Sequence, residues 1–198
     1  VENVKQTRSG RWKMLAILGI CAAPVIASYI VYYGGFAEKM GRNNYGAILD
    51  PRQLPMPELS ARTLDGKPTS LEAYKGKWLM VKSGPGACDE ACRRQLFAMR
   101  QLRLMQGKEM DRVERVWLVT DDTPLDTILL REYDGMRVLR VNAAALARWL
   151  PVEGGESASG HLYLIDPLGN LMMRFPVDPD PAKVKKDIAK LLKASAIG

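Results

Sequence analysis

The sequence predicts an α/β domain, a central mixed sheet flanked by helices, held behind one N-terminal transmembrane helix. Three observations lead there. Residues 15–33 carry no charge, over a length close to the roughly 20 apolar residues that a spanning helix needs. Further along, short apolar runs suited to strands alternate with segments of helical period. A cysteine pair, Cys88 and Cys92, opens the first long helical segment directly after Gly84-Pro85-Gly86. The 198 residues, 47% of them hydrophobic, supply one packed domain and an anchor but not two large domains. A formal charge of +7 could suggest nucleic acid. The lysines and arginines are scattered, however, and concentrate only at the N-terminus and in the last helix, so solvation and anionic lipid explain them more simply.

Lys5, Arg8, Arg11 and Lys13 precede the apolar run against a lone Glu2. The positive-inside rule therefore keeps residues 1–14 in the cytoplasm and sends the rest across. Trp12, Tyr29, Tyr32 and Tyr33 fall where the two interfaces would lie. Val25-Ile26-Ala27 looks like a cleavage site, but the run continues through Ile30 and Val31, which favours an anchor over a cleaved signal. Pro24 is tolerable in lipid, and Cys21 reads as membrane packing. Residues 34–57, with Asn43, Asn44, Pro51, Pro55 and Pro57, read as an extended tether, and residues 58–198 as the folded domain.

In that domain Leu59 to Thr63 and Lys67 to Leu71 flank Asp65-Gly66, a hairpin signal. Trp78 to Lys82 is a buried strand. A helix follows over Asp89 to Gly107, with Cys92, Leu96, Met99 and Leu102 on its core face. Val113 to Thr120 is a second buried strand, and Asp121 to Pro124 a loop capping the helix that carries Ile128, Leu129 and Leu130. Met136 to Val141 reads as a strand, Ala143 to Leu150 as a helix and Glu153 to Gly160 as a polar loop. His161 to Asp166 and Asn170 to Phe175 form a hairpin around Pro167-Leu168-Gly169. Asp180 caps a last helix with Pro181 in its first turn and Val184, Ile188, Leu191 and Leu192 inward. After the first hairpin the order β-α-β-α-β-α-β-β-α, with thiols at the first major helix, is a thioredoxin-like plan.

At i and i+4 the two sulfurs lie one above the other on a helix, where a disulfide or a shared soft metal ion is possible. So small a ring would stabilise the fold by only about 2 kcal/mol. The pair is therefore a working site rather than a staple. The helix start favours ionised sulfur, Asp89 and Glu90 oppose this and Arg93 and Arg94 support it. Thiolates suit Cu(I), and two sulfurs with one imidazole make a three-coordinate site. The single imidazole is His161, on a strand face with Tyr163 and Ile165.

Leu64-Asp65-Gly66-Lys67, Gly76-Lys77-Trp78-Leu79, Cys88-x3-Cys92 and Tyr163-Leu164-Ile165-Asp166-Pro167-x-Gly169 together resemble the Sco (SenC-type) proteins of cytochrome c oxidase assembly. The resemblance covers most of the soluble domain. It implies a membrane-tethered thioredoxin-like protein of the periplasm or the mitochondrial intermembrane space, with Cys88 and Cys92 as redox pair and, with a distal histidine, as copper ligands. The implied partner is the copper-bearing subunit II of the oxidase or another assembly factor. The chain is a divergent case: Asp89, Ala91 and Arg93 stand where that family usually has prolines near its cysteines. Its usual histidine position is Ala158, three residues before His161, and an odd shift reverses strand parity. Three roles are expected from this reading: copper chaperone, thiol–disulfide oxidoreductase, or a scaffold without redox activity.

Overall fold

A computed structural model describes residues 3–34, 44–50, 52–152 and 154–197. It divides into two compact units, which meet between Asn43 and Asn44. The first unit contains a 31-residue helix, α1 (Asn3–Tyr33), with Pro24 inside it. Its Gly10–Tyr33 portion is long and apolar enough to cross a membrane, with a mean hydropathy of 2.3. The helix begins upstream of the expected span, so the basic flank is helical too. Val1, Glu2 and, within the expected tether, residues 35–43 and Pro51 lie outside the described residues.

The second unit holds an eight-stranded mixed sheet in the order β1-β8-β7-β4-β5-β6-β2-β3. In chain order the strands are β1 (Ala47–Ile48), β2 (Ser60–Thr63), β3 (Pro68–Ser70), β4 (Trp78–Gly84), β5 (Val113–Val119), β6 (Arg137–Val141), β7 (Leu162–Ile165) and β8 (Leu171–Phe175). The helices are α2 (Glu90–Leu104), α3 (Thr127–Glu132), α4 (Ala143–Trp149) and α5 (Pro181–Ala194). β4, β5 and β6 run parallel, and the remaining neighbours are antiparallel. This is the mixed α/β arrangement that the alternating sequence pattern predicts.

Every residue of β4 is buried, because both faces of the sheet are covered. Trp78 and Met80 pack toward α2 and α5 with Leu96, Met99, Leu102, Val184, Ile188 and Leu192. Leu79 and Val81 point the other way, against Leu146 and Trp149 of α4. This two-residue alternation decides which side chains reach which site.

The structure departs from the sequence reading at three places. The sheet recruits Ala47 and Ile48, which sit inside the stretch read as tether, since Leu49, Leu54 and Met56 have a core to pack against. Upstream of them the buried carboxylate of Asp187 accepts the amides of Tyr45 at 2.7 Å and Gly46 at 3.0 Å. Gly46 is a glycine for a reason, because a Cβ there would come within 2.7 Å of Met173 Sδ. α2 stops at Leu104 rather than Gly107, where a 3-10 turn over Gly107–Arg112 takes over. The cap of α3 is Asp126, whose side chain accepts from Ile128 N at 2.8 Å. Asp121 from the expected capping loop serves the cysteine loop instead.

Candidate functional site

Cys88 and Cys92 are joined in a disulfide, with a Cα–Cα distance of 5.2 Å. The loop carrying them depends on its glycines. Gly84 closes β4 at φ +150, and Gly86 donates its amide to Asp121 Oδ1 at 2.8 Å. A Cβ on Gly86 would lie 2.9 Å from Thr123 O and from Leu125 Cδ2, so the close approach admits only glycine. Asp89 then caps α2, its carboxylate accepting the Cys92 amide at 2.8 Å. Glu90 pairs with Arg94 at 3.2 Å, whereas the Asp89 carboxylate keeps its negative charge beside Cys92. Cys92 is 8% exposed and belongs to the core, whereas Cys88 is half-buried at its rim. The pair thus has an outer and an inner sulfur.

Behind the inner sulfur lies a cavity of about 270 Å³, lined by Cys92, Asp89, Gln95, Ser159, Gly160 and Lys82. Lys82 follows Trp78 and Met80 on the α2 side of β4 and is 2% exposed. Its Nζ donates to Gln95 Oε1 at 2.8 Å, and Gln95 Nε2 donates to Gly160 O at 2.7 Å. Burial pushes the amine down to about 8, while the Asp89 carboxylate pulls it back up. Sequence reading took Lys82 only as the end of a strand. The signal was available, since a lysine at an even position of a strand buried on both faces must point where Met80 points.

His161 goes elsewhere. It is 2% exposed, extended at φ −98 and ψ 155, and its ring meets that of Tyr163 edge-on at 6.1 Å. Tyr163 packs with Val81 and Trp149, on the face of the sheet opposite Cys92. Nδ1 donates to Phe175 O at 2.8 Å, a carbonyl being able only to accept. Nε2 lies 2.8 Å from Glu156 Oε2, close enough for an ion pair but not aligned for a hydrogen bond. Of the three expected ligands the structure therefore brings together Cys88 and Cys92 and leaves His161 apart, because regular strand parity turns the imidazole away. Ala158, where the resemblance expects a histidine, packs on His161's side of the sheet. Among the described residues no three His, Cys, Asp or Glu side chains are placed to hold a metal ion.

Comparison with known proteins agrees with this architecture. Residues 78–195 match the family described as transmembrane-like, thioredoxin-like, C-terminal domain, and residues 5–35 match its transmembrane-like N-terminal domain. No curated protein matches the chain in sequence. Among solved structures, the Sco-family protein BsSco, described as a cytochrome c oxidase assembly protein with a disulfide switch, is 18% identical with a TM-score of 0.54; the match covers 73% of this chain and 95% of that one. ScoI of Arabidopsis thaliana with copper bound is 16% identical at TM-score 0.51, over 76% and 99%. The thioredoxin domain of a thiol-disulfide oxidoreductase from Bacteroides vulgatus is 17% identical at TM-score 0.51, over 70% and 95%. At these identities the likeness establishes the thioredoxin-like fold.

Proposed function

The chain belongs to the transmembrane-like, thioredoxin-like family, and we propose that it is a membrane-anchored, Sco-like redox protein that serves cytochrome c oxidase assembly through Cys88 and Cys92. The observation carrying this reading is the bridge between a rim sulfur and a core sulfur at the start of α2. In the reduced state the Cys88 thiolate attacks a partner disulfide, one partner sulfur departs as thiolate, and a mixed disulfide forms. Cys92, one turn away, then attacks Cys88, releasing the second partner thiolate and restoring the bridge. The partner leaves with two electrons, ready to bind metal through its own cysteines; the partner class is the copper-bearing oxidase subunit. The domain works on the non-cytoplasmic side, the periplasm or the mitochondrial intermembrane space, as the basic flank of α1 indicates. A Cys92→Ser variant is expected to accumulate the mixed disulfide with that subunit. Capture of no oxidase component, with Cys88 intact and reduced, would overturn the assignment.

A second reading is favoured by the copper-bound fold relative and by two soft sulfurs one helical turn apart. After reduction Cys88 and Cys92 hold Cu(I) as cargo for the same subunit. His161 takes no part in holding it. Titration of the reduced chain with Cu(I) is expected to give one equivalent, abolished by Cys88→Ser and unchanged by His161→Ala. Loss of stoichiometry in His161→Ala would restore the three-ligand set and overturn this version.

A further inference from the structure

A lysine is seldom fully buried, yet Lys82 is 2% exposed. It is placed in the cavity that Cys92 lines by strand parity and kept there by Gln95, which sits one turn after Cys92 on the same helix and holds Nζ at 2.8 Å. Gly84, at φ +150, brings the backbone close to this group: a Cβ there would stand in ordinary contact with Nζ, at 3.7 Å, and 3.3 Å from the Ser159 side chain. Gln95 in turn is fixed by Gly160 O at 2.7 Å, so three elements, β4, α2 and the Ala158–Gly160 turn, lock one cation into the cavity that Cys92 lines. The disulfide itself is neutral and gains nothing from that charge. The state that gains is the opened one.

We propose that Lys82 is the positioning residue that sets the redox poise of the pair, its ammonium favouring the Cys92 thiolate released when the bridge opens. This rests on the redox reading above. In the opening step the thiolate of a dithiol attacks Cys88 Sγ, a new sulfur–sulfur bond forms there, and the Cys88–Cys92 bond breaks. The electron pair of the broken bond stays on the Sγ of Cys92, a buried residue lining the same cavity as the buried Lys82, where the ammonium offsets the negative charge of the neighbouring Asp89. The second thiolate of the dithiol then closes its own disulfide and releases Cys88. The dithiol is oxidised, the protein pair is reduced, and no proton has to move in the bond-breaking step. Stabilising the thiolate product makes the bridge easier to reduce.

The test equilibrates the full chain in detergent, in a Cys21→Ser background that removes the third thiol, with mixtures of reduced and oxidised dithiothreitol at pH 7. Lys82→Met is expected to shift the equilibrium about tenfold toward the disulfide, equivalent to about 30 mV, and Lys82→Arg to stay within about threefold of the parent. Gln95→Leu, which keeps the lysine but removes its anchor, is expected to move in the same direction by about threefold and serves as the readout should Lys82→Met fold poorly. Equilibrium constants of Lys82→Met, or failing that of Gln95→Leu, within twofold of the parent would overturn the proposal while leaving the redox reading intact. A parent pair that dithiothreitol cannot reduce would overturn both. A Lys82 effect without any captured oxidase partner would keep this inference and discard the partner.

Discussion

The two faces of the sheet carry comparable polar groups near the same end, yet only one of them is built for chemistry. On the α2 face Lys82, Gln95 and Cys92 line one cavity, and the half-buried Cys88 is bonded to Cys92 at the rim of the core. On the α4 face His161, Tyr163 and Arg174 are occupied with backbone: Tyr163 Oη and Arg174 Nη1 both donate to Pro151 O, at 3.2 and 3.1 Å, and His161 holds Phe175 O, with Glu156 beside the other ring nitrogen. Burial pushes the Tyr163 phenol up to about 12, so it remains a donor at any physiological pH. The difference teaches that buried titratable groups divide by what they face. Those facing carbonyls pin a loop, and those facing a cavity beside a reactive bond can act on it.

The comparison breaks first at the sulfurs. Cys88→Ser and Cys92→Ser are each expected to reduce catalysed exchange with a dithiol to background, measured by turnover of an insulin-type disulfide substrate. On the other face His161→Ala should leave that exchange within about twofold but cost about 2–3 kcal/mol of stability by urea denaturation, since it removes a buried ring and orphans the Phe175 carbonyl. A large loss of exchange in His161→Ala would erase the division between the faces. Gly86→Ala is expected to lose about 2 kcal/mol, because a methyl there meets the Thr123 carbonyl and the Leu125 side chain. The smallest effect sharpens the contrast. The folded Lys82 amine, at about 8, lies below its unfolded value, so the unfolded chain binds more protons between about pH 8 and pH 10.5. The penalty of burying its charge is complete below that window and is relieved as pH rises through it. Lys82→Met should therefore be more stable than the parent by about 1 kcal/mol at pH 7, after the stranded Gln95 is allowed for, and the order should reverse by about pH 10.

Much of this was legible in the residues. The core face of α2, the two hairpins, the Asp180 cap and the one-turn spacing of the cysteines follow from periodicity and capping chemistry, because local rules govern them; that the cysteines are joined comes from the structure. The direction of His161 was legible from the strand face it shares with Tyr163 and Ile165, whereas the odd shift from Ala158 misleads, because a 3-10 turn over Ala158–Gly160 interrupts the parity and leaves both residues on one side. Lys82 was harder to see, because a lysine closing an apolar run looks like a strand end until the sheet shows that β4 is central. Asp126 lost to Asp121 in sequence because both open onto the same short helix, and only the fold shows that Asp121 is needed at Gly86. β1 escaped notice because two residues carry no period, and the sheet edge that recruits them is made by β8, more than a hundred residues further along the chain.

The Asp187 carboxylate, which grips the amides of Tyr45 and Gly46, has a mechanical consequence. Any pull arriving along the polypeptide from the bilayer side meets these two charge-assisted bonds before it reaches the sheet. Tyr45 Oη adds a third tie by accepting from Asp180 N. The load path therefore enters α5 and its cap first, ahead of the sheet edge at β1.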